Sequence, residues 1–221
     1  MLKYFKQGWL VIAISLAFGA LLAGVQLTLG PKIKENQITK SYNRIPLLLL
    51  GQDKVNGAKI VIAGDKITVD RDGKAETTLT VQKPENPLDY DVYKVFNGDK
   101  QLGWVVLGKG NGYADEVVCL IGLSPDLKTI TGVSVISQKE TPNLGSKIQS
   151  PWIYQFAGKA ANPPLEVVKN RTASPDNNKI DAISGATISS DSLTAIVNQT
   201  VAKFVGDVEK LKFASAAAEE K

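Results

Sequence analysis

The sequence predicts an α+β fold: an antiparallel sheet with flanking helices, preceded by one amino-terminal transmembrane helix. Three observations carry that prediction. Trp9 to Leu29 run without a charge. Short strand-like runs recur between residues 58 and 138, with turn signals separating them. Leu193, Ile196, Val197, Val201, Phe204, Val208 and Leu211 then repeat at three- and four-residue steps, the stripe of an amphipathic helix.

The first element follows Lys3 and Lys6. Its 21 uncharged residues, at about 1.5 Å each, match the hydrocarbon thickness of a bilayer, about 30 Å. A cleaved secretory signal has a similar basic start, but its apolar region is shorter, roughly 7–15 residues. No cysteine follows that could take a lipid. A retained single span is therefore expected, with Gly19 and Ala23 at small-xxx-small spacing on one helix face. Lys32, Lys34, Lys40 and Arg44 follow the span, so the lysine and arginine count does not favour a translocated carboxyl end; long domains cross largely regardless of it.

Pro31 is expected to end or restart the helix, with a short stalk continuing beyond it. Pro46 and Gly51 bracket a greasy patch, Leu47 to Leu50, which is either core or a contact for a membrane partner. AKIVIAG, DKITVD and ETTLTVQ then read as strands joined by Gly-Asp and Asp-Gly turns. PENPLD, residues 84–89, reads as a linker or domain edge. YDVYKVFN, QLGWVVLGKG, DEVVCLIGLS and TITGVSVISQ follow as strands of an antiparallel sheet. Gly108, Gly110 and Gly112 resemble a dinucleotide fingerprint, but Tyr113 stands at the last glycine and a strand follows, so the run reads as a hairpin turn. In the last helix Ser189, Ser190 or Asp191 can cap the start, and ASAAAEEK reads as a polar tail. The expected organisation is residues 1–8 as a cytoplasmic amino terminus, 9–29 as the span, 30–89 as stalk and short strands, 90–212 as the functional domain and 213–221 as the tail.

Composition narrows the chemistry. The 221 residues are 43% hydrophobic and 22% charged, the balance of a folded protein. The net charge of +4, from 26 basic and 22 acidic residues, is spread along the chain, which reads as solvated surface and not a nucleic-acid face. A single cysteine excludes an intrachain disulfide and a four-thiolate cluster. With no histidine there is no Ser-His or Cys-His nucleophile pair and no imidazole metal ligand. Cys119 lies in the apolar run VVCLIGL, where a buried, inert thiol is expected. No catalytic residue and no metal site are expected.

Two short segments stand apart. In ETPNLGSKI, residues 140–148, the residue before Pro142 is held extended. Asn143 tolerates a left-handed backbone and Gly145 allows close approach. Such a turn presents amides and the Thr141 hydroxyl to a planar or phosphorylated ligand, although a plain strand-to-helix connection explains it equally. In DAISGATISSDSL, residues 181–193, small residues and hydroxyls precede the last helix. Free amides and the helix dipole there suit an anion. The Thr187 hydroxyl, esterified to a phosphate, would hold that phosphate permanently, with Gly185 and Ala186 clearing space. A helix cap accounts for the string by itself.

Together, ETPNLGSKI…SPWIYQFAGK and DAISGATISS resemble the FMN-binding domain of membrane-bound electron-transport complexes. The likeness is to the G subunit of Rnf complexes and, more distantly, the C subunit of the sodium-pumping NADH:quinone oxidoreductase. It covers roughly residues 90–212 and the single-span layout. In that family a flavin transferase attaches FMN through its phosphate to the threonine of an Asp-x-x-Ser-Gly-Ala-Thr motif. The resemblance therefore implies covalent FMN on Thr187, with Asp181, Ser184, Gly185 and Ala186 completing the motif. It implies Glu140, Thr141, Leu144 and Gly145 as the lining of the flavin ring, and Tyr113 and Lys147 as further contacts. It also implies a soluble domain on the outer, periplasmic face of the cell membrane, partnered by the other subunits of a complex and by the transferase during maturation. The function implied is electron relay in ferredoxin:NAD oxidoreduction coupled to sodium or proton translocation, with no substrate turnover of its own. A stand-alone anchored FMN carrier and a cofactor-free binding domain are the alternatives. The chain departs from the family pattern at Asn143, where Gly is usual, at Gln138, where His is frequent, and in ISS, which replaces x-Thr-Ser.

Overall fold

The computed structural model describes residues 2–83, 88–169, 171–174 and 176–219. Two compact units are present, Met1–Lys40 and Ser41–Lys221. Most of the first is helix α1, Leu2–Leu50, in which Gly8–Gly30 is long and apolar enough to cross a membrane by length and composition. Trp9, Leu10, Val11, Leu16, Leu21 and Leu27 along it are all exposed. The expected break at Pro31 does not occur: α1 is assigned without interruption past Pro31 and past Pro46. A proline inside a helix removes one hydrogen bond and crowds the carbonyl four residues back, at roughly 3 kcal/mol. A helix with many turns on either side can absorb that as a bend.

The second unit is built on a seven-stranded sheet in which every strand pairs antiparallel with its neighbour in the chain. The strands are β1 (Lys59–Ala63), β2 (Lys66–Arg71), β3 (Lys74–Gln82), β4 (Val92–Asn97), β5 (Lys100–Asn111), β6 (Glu116–Leu123) and β7 (Ile130–Ser137). The short helix α2 (Gln52–Val55) leads into β1. The turn signals work as their chemistry requires. Gly64 and Gly98 take φ values of 62° and 58°, and Asp72-Gly73 takes 53° and 76°, the positive φ pair of a tight hairpin. Because Leu79 of β3 lies opposite Asn97 of β4, the strands on either side of residues 84–89 share one sheet. Of that linker only residues 88 and 89 are described.

Alternation along the central strands gives the sheet two buried faces. On one, Val106, Val117, Cys119 and Ile121 pack with Leu193, Ile196, Val197, Val201 and Phe204 of the last helix, α3 (Thr187–Glu219). On the other, Val95, Val105 and Leu120 pack with Ile67, Leu79 and the end of α1, where Ile45 and Leu48 are buried. Within the Leu47–Leu50 patch Leu48 is buried, and half-buried Leu49 and Leu50 pack against the same cluster, so the patch contributes to the core. The amphipathic stripe on α3 is seen as far as Val208; the Leu211 side chain lies outside what is described. Backbone helix continues to Glu219, into the alanine-rich stretch read as a tail, in keeping with the helix propensity of alanine.

Glycines decide how closely the helices approach. A Cβ on Gly108 would meet Thr200 Oγ1 at 2.7 Å, and one on Gly110 would meet Ile196 Cγ1 at 2.8 Å. Both lie within β5, which corrects the reading of residues 108–112 as a hairpin turn; only Gly112 belongs to the turn, its N–H donating to the Asp115 carbonyl at 2.8 Å. The spacing reflects helix packing, since bare backbone on alternate strand positions lets α3 sink onto the sheet. Cys119, at 0% exposure, has its thiol pushed up to about 12 by burial. A maleimide is therefore expected to leave the folded protein unlabelled at pH 7 and to label it stoichiometrically in denaturant, as read by mass spectrometry.

Candidate functional site

After β7 the chain makes the Glu-Thr-Pro turn. The Thr141 carbonyl accepts the N–H groups of Leu144 at 3.2 Å and Ser146 at 3.1 Å. Asn143 sits in the left-handed region at φ 59°, its N–H donating to Ser146 Oγ at 3.0 Å. Asparagine accepts that conformation because its side chain is short and polar. A short 3-10 segment, Gly145–Gln149, follows, and Ile148 plants it in the core. Thr141 and Lys147 are exposed, and Leu144 is 45% exposed.

Glu140 is 4% exposed, and its carboxylate is engaged by the protein itself. Oε1 accepts the N–H groups of Tyr113 at 2.8 Å and Ala114 at 3.0 Å, both in the β5–β6 turn. Oε2 accepts the Ser189 hydroxyl at 2.6 Å. A Cβ on Gly112 would collide with Oε1, and one on Gly145 would stand 2.6 Å from both Oε2 and Ser189 Oγ. Two glycines thus enclose the carboxylate. It ties three segments together: the β5–β6 turn, the Glu-Thr-Pro turn and the first turn of α3. Outside it, Lys139 pairs with Asp115 at 2.5 Å across the same two turns. The lysine holds the Asp115 carboxyl below its usual range. Gln138 Oε1 accepts the Glu140 N–H at 2.5 Å, so this side chain supports the turn where the resemblance would place a histidine.

The second motif begins as β9 (Lys179–Asp181), which pairs in parallel with β8 (Glu166–Val168). Asp181 is held at three points. Its Oδ1 accepts the Ala173 N–H at 3.1 Å, its N–H donates to Gln155 Oε1 at 2.9 Å, and its carbonyl accepts the Trp152 indole. The loop ahead of β9 is fixed by Lys159, which is buried and donates to the carbonyls of Ser174 and Asn177; burial lowers its pKa. Ala186 N–H then donates to the Ile183 carbonyl at 2.9 Å, with Gly185 at φ 79°. That left-handed residue swings the chain into α3, whose first residue is Thr187.

The helix therefore starts earlier than the capping expectation for Ser189, Ser190 or Asp191. Ser190 Oγ accepts the Ile183 N–H at 3.0 Å and donates to the Ala186 carbonyl at 3.0 Å, bracing the turn from inside the helix. The first intrahelical bond runs from Ser190 N to Ala186 O, so the amides of Thr187, Ile188 and Ser189 stand at the open end. Thr187 is half-buried, Ser184 and Gly185 are exposed and Ala186 is buried.

The two motifs meet here. The Cβ position on Gly185 lies 3.7 Å from Leu144 Cδ1, while Ser189 joins Glu140. Ile188 beside Thr187 is 57% exposed, and the Tyr113 ring is 63% exposed although its amide is held by Glu140. Sequence reasoning passed over Ile188, Gly112 and the inward roles of Ser189 and Ser190. The signal available for Ser189 was its position two residues after Thr187, about 200° round the helix; Ser190, three residues on, gave no such signal.

The FMN-binding domain family model matches residues 112–202, a span that opens at the β5–β6 turn and closes on α3.

Among similar proteins, the G subunit of the Na(+)-translocating ferredoxin:NAD(+) oxidoreductase complex of Acetobacterium woodii is 40% identical over 128 residues, 58% of this chain and 60% of that one. The G subunit of the ion-translocating oxidoreductase complex of Methanosarcina acetivorans is 32% identical over 125 residues, 57% of this chain and 63% of that one. The C subunit of the Na(+)-translocating NADH-quinone reductase of Vibrio anguillarum is 31% identical over 123 residues, 53% of this chain and 47% of that one. The chain spans less than two thirds of the length of these relatives.

The residues present suit the cofactor. Open amides at a helix start and the hydroxyls of Ser184 and Thr187 match a phosphate. Exposed Leu144 and Ile188, next to a glycine with no side chain, match an apolar ring system.

Proposed function

We propose that this chain is a membrane-held electron relay that carries FMN joined to Thr187 through a phosphoester. The observation that carries the reading is the placement of Thr187. It is the first residue of α3, preceded by a glycine turn and flanked by open amides, within residues that match the FMN-binding domain family. When bound, the flavin supplies the redox chemistry; the protein supplies the attachment, the shape and the polar contacts. Ser184, Gly185 and Ala186 shape the attachment turn, and Asp181 fixes the strand that leads into it. Leu144, Gly145 and Thr141 offer the ring an apolar and backbone surface, with Tyr113 and Lys147 at its margin.

Gly8–Gly30 supports the membrane placement by length and composition; the outer-face position of the 90–212 domain follows from the resemblance alone. The likeness to complex subunits supports a place among the other subunits of an Rnf-type ion-translocating ferredoxin:NAD oxidoreductase. Attachment needs a flavin transferase and an activated donor. The Thr187 Oγ–P bond forms as a phosphoanhydride bond of the donor breaks, the nucleotide leaves with the bonding electrons and the hydroxyl proton passes to solvent.

The full chain, produced together with its flavin transferase, is expected to show ultraviolet-excited flavin fluorescence in a denaturing gel. Thr187→Ala is expected to abolish the band while protein abundance is unchanged. A dark unsubstituted chain would overturn the reading; a fluorescent Thr187→Ala band would overturn the attachment site.

A further inference from the structure

Glu140 and Ser189 share a hydrogen bond that no feature of the attachment turn itself requires. We propose that this pair is the positioning device for Thr187: it sets the rotation of the α3 start so that the Thr187 hydroxyl faces outward for flavin transfer. The inference rests on the reading of Thr187 as the attachment residue.

The geometry is built for the task. Two residues along a helix correspond to about 200° of rotation, so Ser189 held inward turns Thr187 outward. The inward hold is specific. Ser189 Oγ donates to a carboxylate oxygen at 2.6 Å, and the other oxygen is fixed by the amides of Tyr113 and Ala114. Neither end of the link can drift, because Gly112 and Gly145 leave no free space around the carboxylate. Ser190 meanwhile fixes the turn before Thr187 through Ile183. The residue to be modified is thus clamped from both sides, while its own hydroxyl is left to the donor. Helix starts fray when their first turn is not tied down. Transfer from a phosphoanhydride donor needs Oγ in line with the bond that breaks. Glu140, which the family resemblance implies as ring lining, thereby acts through Ser189 on Thr187.

The test compares the full chain with Ser189→Ala, Ser189→Thr and Gly145→Ala, each produced with the flavin transferase. Covalent flavin is followed in time by denaturing-gel fluorescence, and the melting of unmodified protein is recorded in parallel. Ser189→Ala removes the donor but keeps a strong helix former. Gly145→Ala removes no polar atom and instead forces the pair apart. Both are expected to slow labelling by about tenfold or more, with cooperative melting retained. Ser189→Thr, which keeps the hydroxyl, is expected to label within about twofold of the unsubstituted rate.

Labelling of Ser189→Ala at the unsubstituted rate overturns the proposal. So does a slow Ser189→Thr, or a loss that simply follows the unfolded fraction. A dark unsubstituted chain overturns the flavin reading itself, an outcome distinct from these.

Discussion

Replacing Ile45 and Leu48 together by alanine is expected to lower the stability of the Ser41–Lys221 unit by about 4–8 kcal/mol. Each large-to-alanine change in a core costs about 2–5 kcal/mol, and neighbours share part of the loss. Ile45 is fully buried and Leu48 is 3% exposed, both on the sheet face away from α3. Leu48 also lies over Gly122 and Gly132, where a Cβ would stand 3.2 and 3.3 Å from its side chain. No other helix contributes buried side chains to that face among the described residues, so the vacated space has nothing to fill it. Many domains are stable by only 5–15 kcal/mol, so the double variant approaches the point of unfolding. Urea melts of the full chain in detergent, followed by near-ultraviolet circular dichroism, measure the change. A shift below 1 kcal/mol would mean that this end of α1 is a stalk and not core.

Glu140→Ala is expected to cost about 3–5 kcal/mol. Three donors lose their acceptor at once, and each buried polar group left unpaired costs about 1–3 kcal/mol, with entering water recovering part. The flanking glycines are what make the loss large, since neither can reach across to replace the missing oxygens. Glu140→Gln keeps one carbonyl oxygen for the turn amides and is expected to lose roughly half as much. Hydrogen exchange gives the sharper reading. The amides of Tyr113 and Ala114 should exchange faster in Glu140→Ala by at least about tenfold, while amides at the centre of β6 change only with global stability. If those two amides exchange as before, the carboxylate does not hold the β5–β6 turn.

Much of the architecture was legible in the sequence because its determinants are local. Short strand-like runs with turn signals between them marked all seven strands, and the three- and four-residue spacing marked α3. Several misreadings have a tertiary cause; the one at Pro31 does not, since a long helix absorbs a proline by itself. Pro31 and Pro46 disfavour helix locally, yet α1 continues through both. The Leu47–Leu50 run left core and interface equally open, because an apolar patch does not name its partner. Gly108 and Gly110 looked like turn residues, but their purpose lies in the helix that settles on them some ninety residues later. The two motifs of the site were visible one at a time. Their joint geometry was not, since the bond from Ser189 to Glu140 spans 49 positions and leaves no trace in either segment. Serines near a helix start read as caps for the same reason.

The bare positions on β5 have a reach beyond packing. Ile196 and Thr200 seat over Gly110 and Gly108, so α3 is indexed on the sheet like a toothed rack and can neither slide nor turn without a clash. Thr187 lies nine residues, roughly 13 Å, up the same rigid rod. Its compass bearing is therefore dictated in part by two side chains that do not exist, far from any group that would touch a flavin.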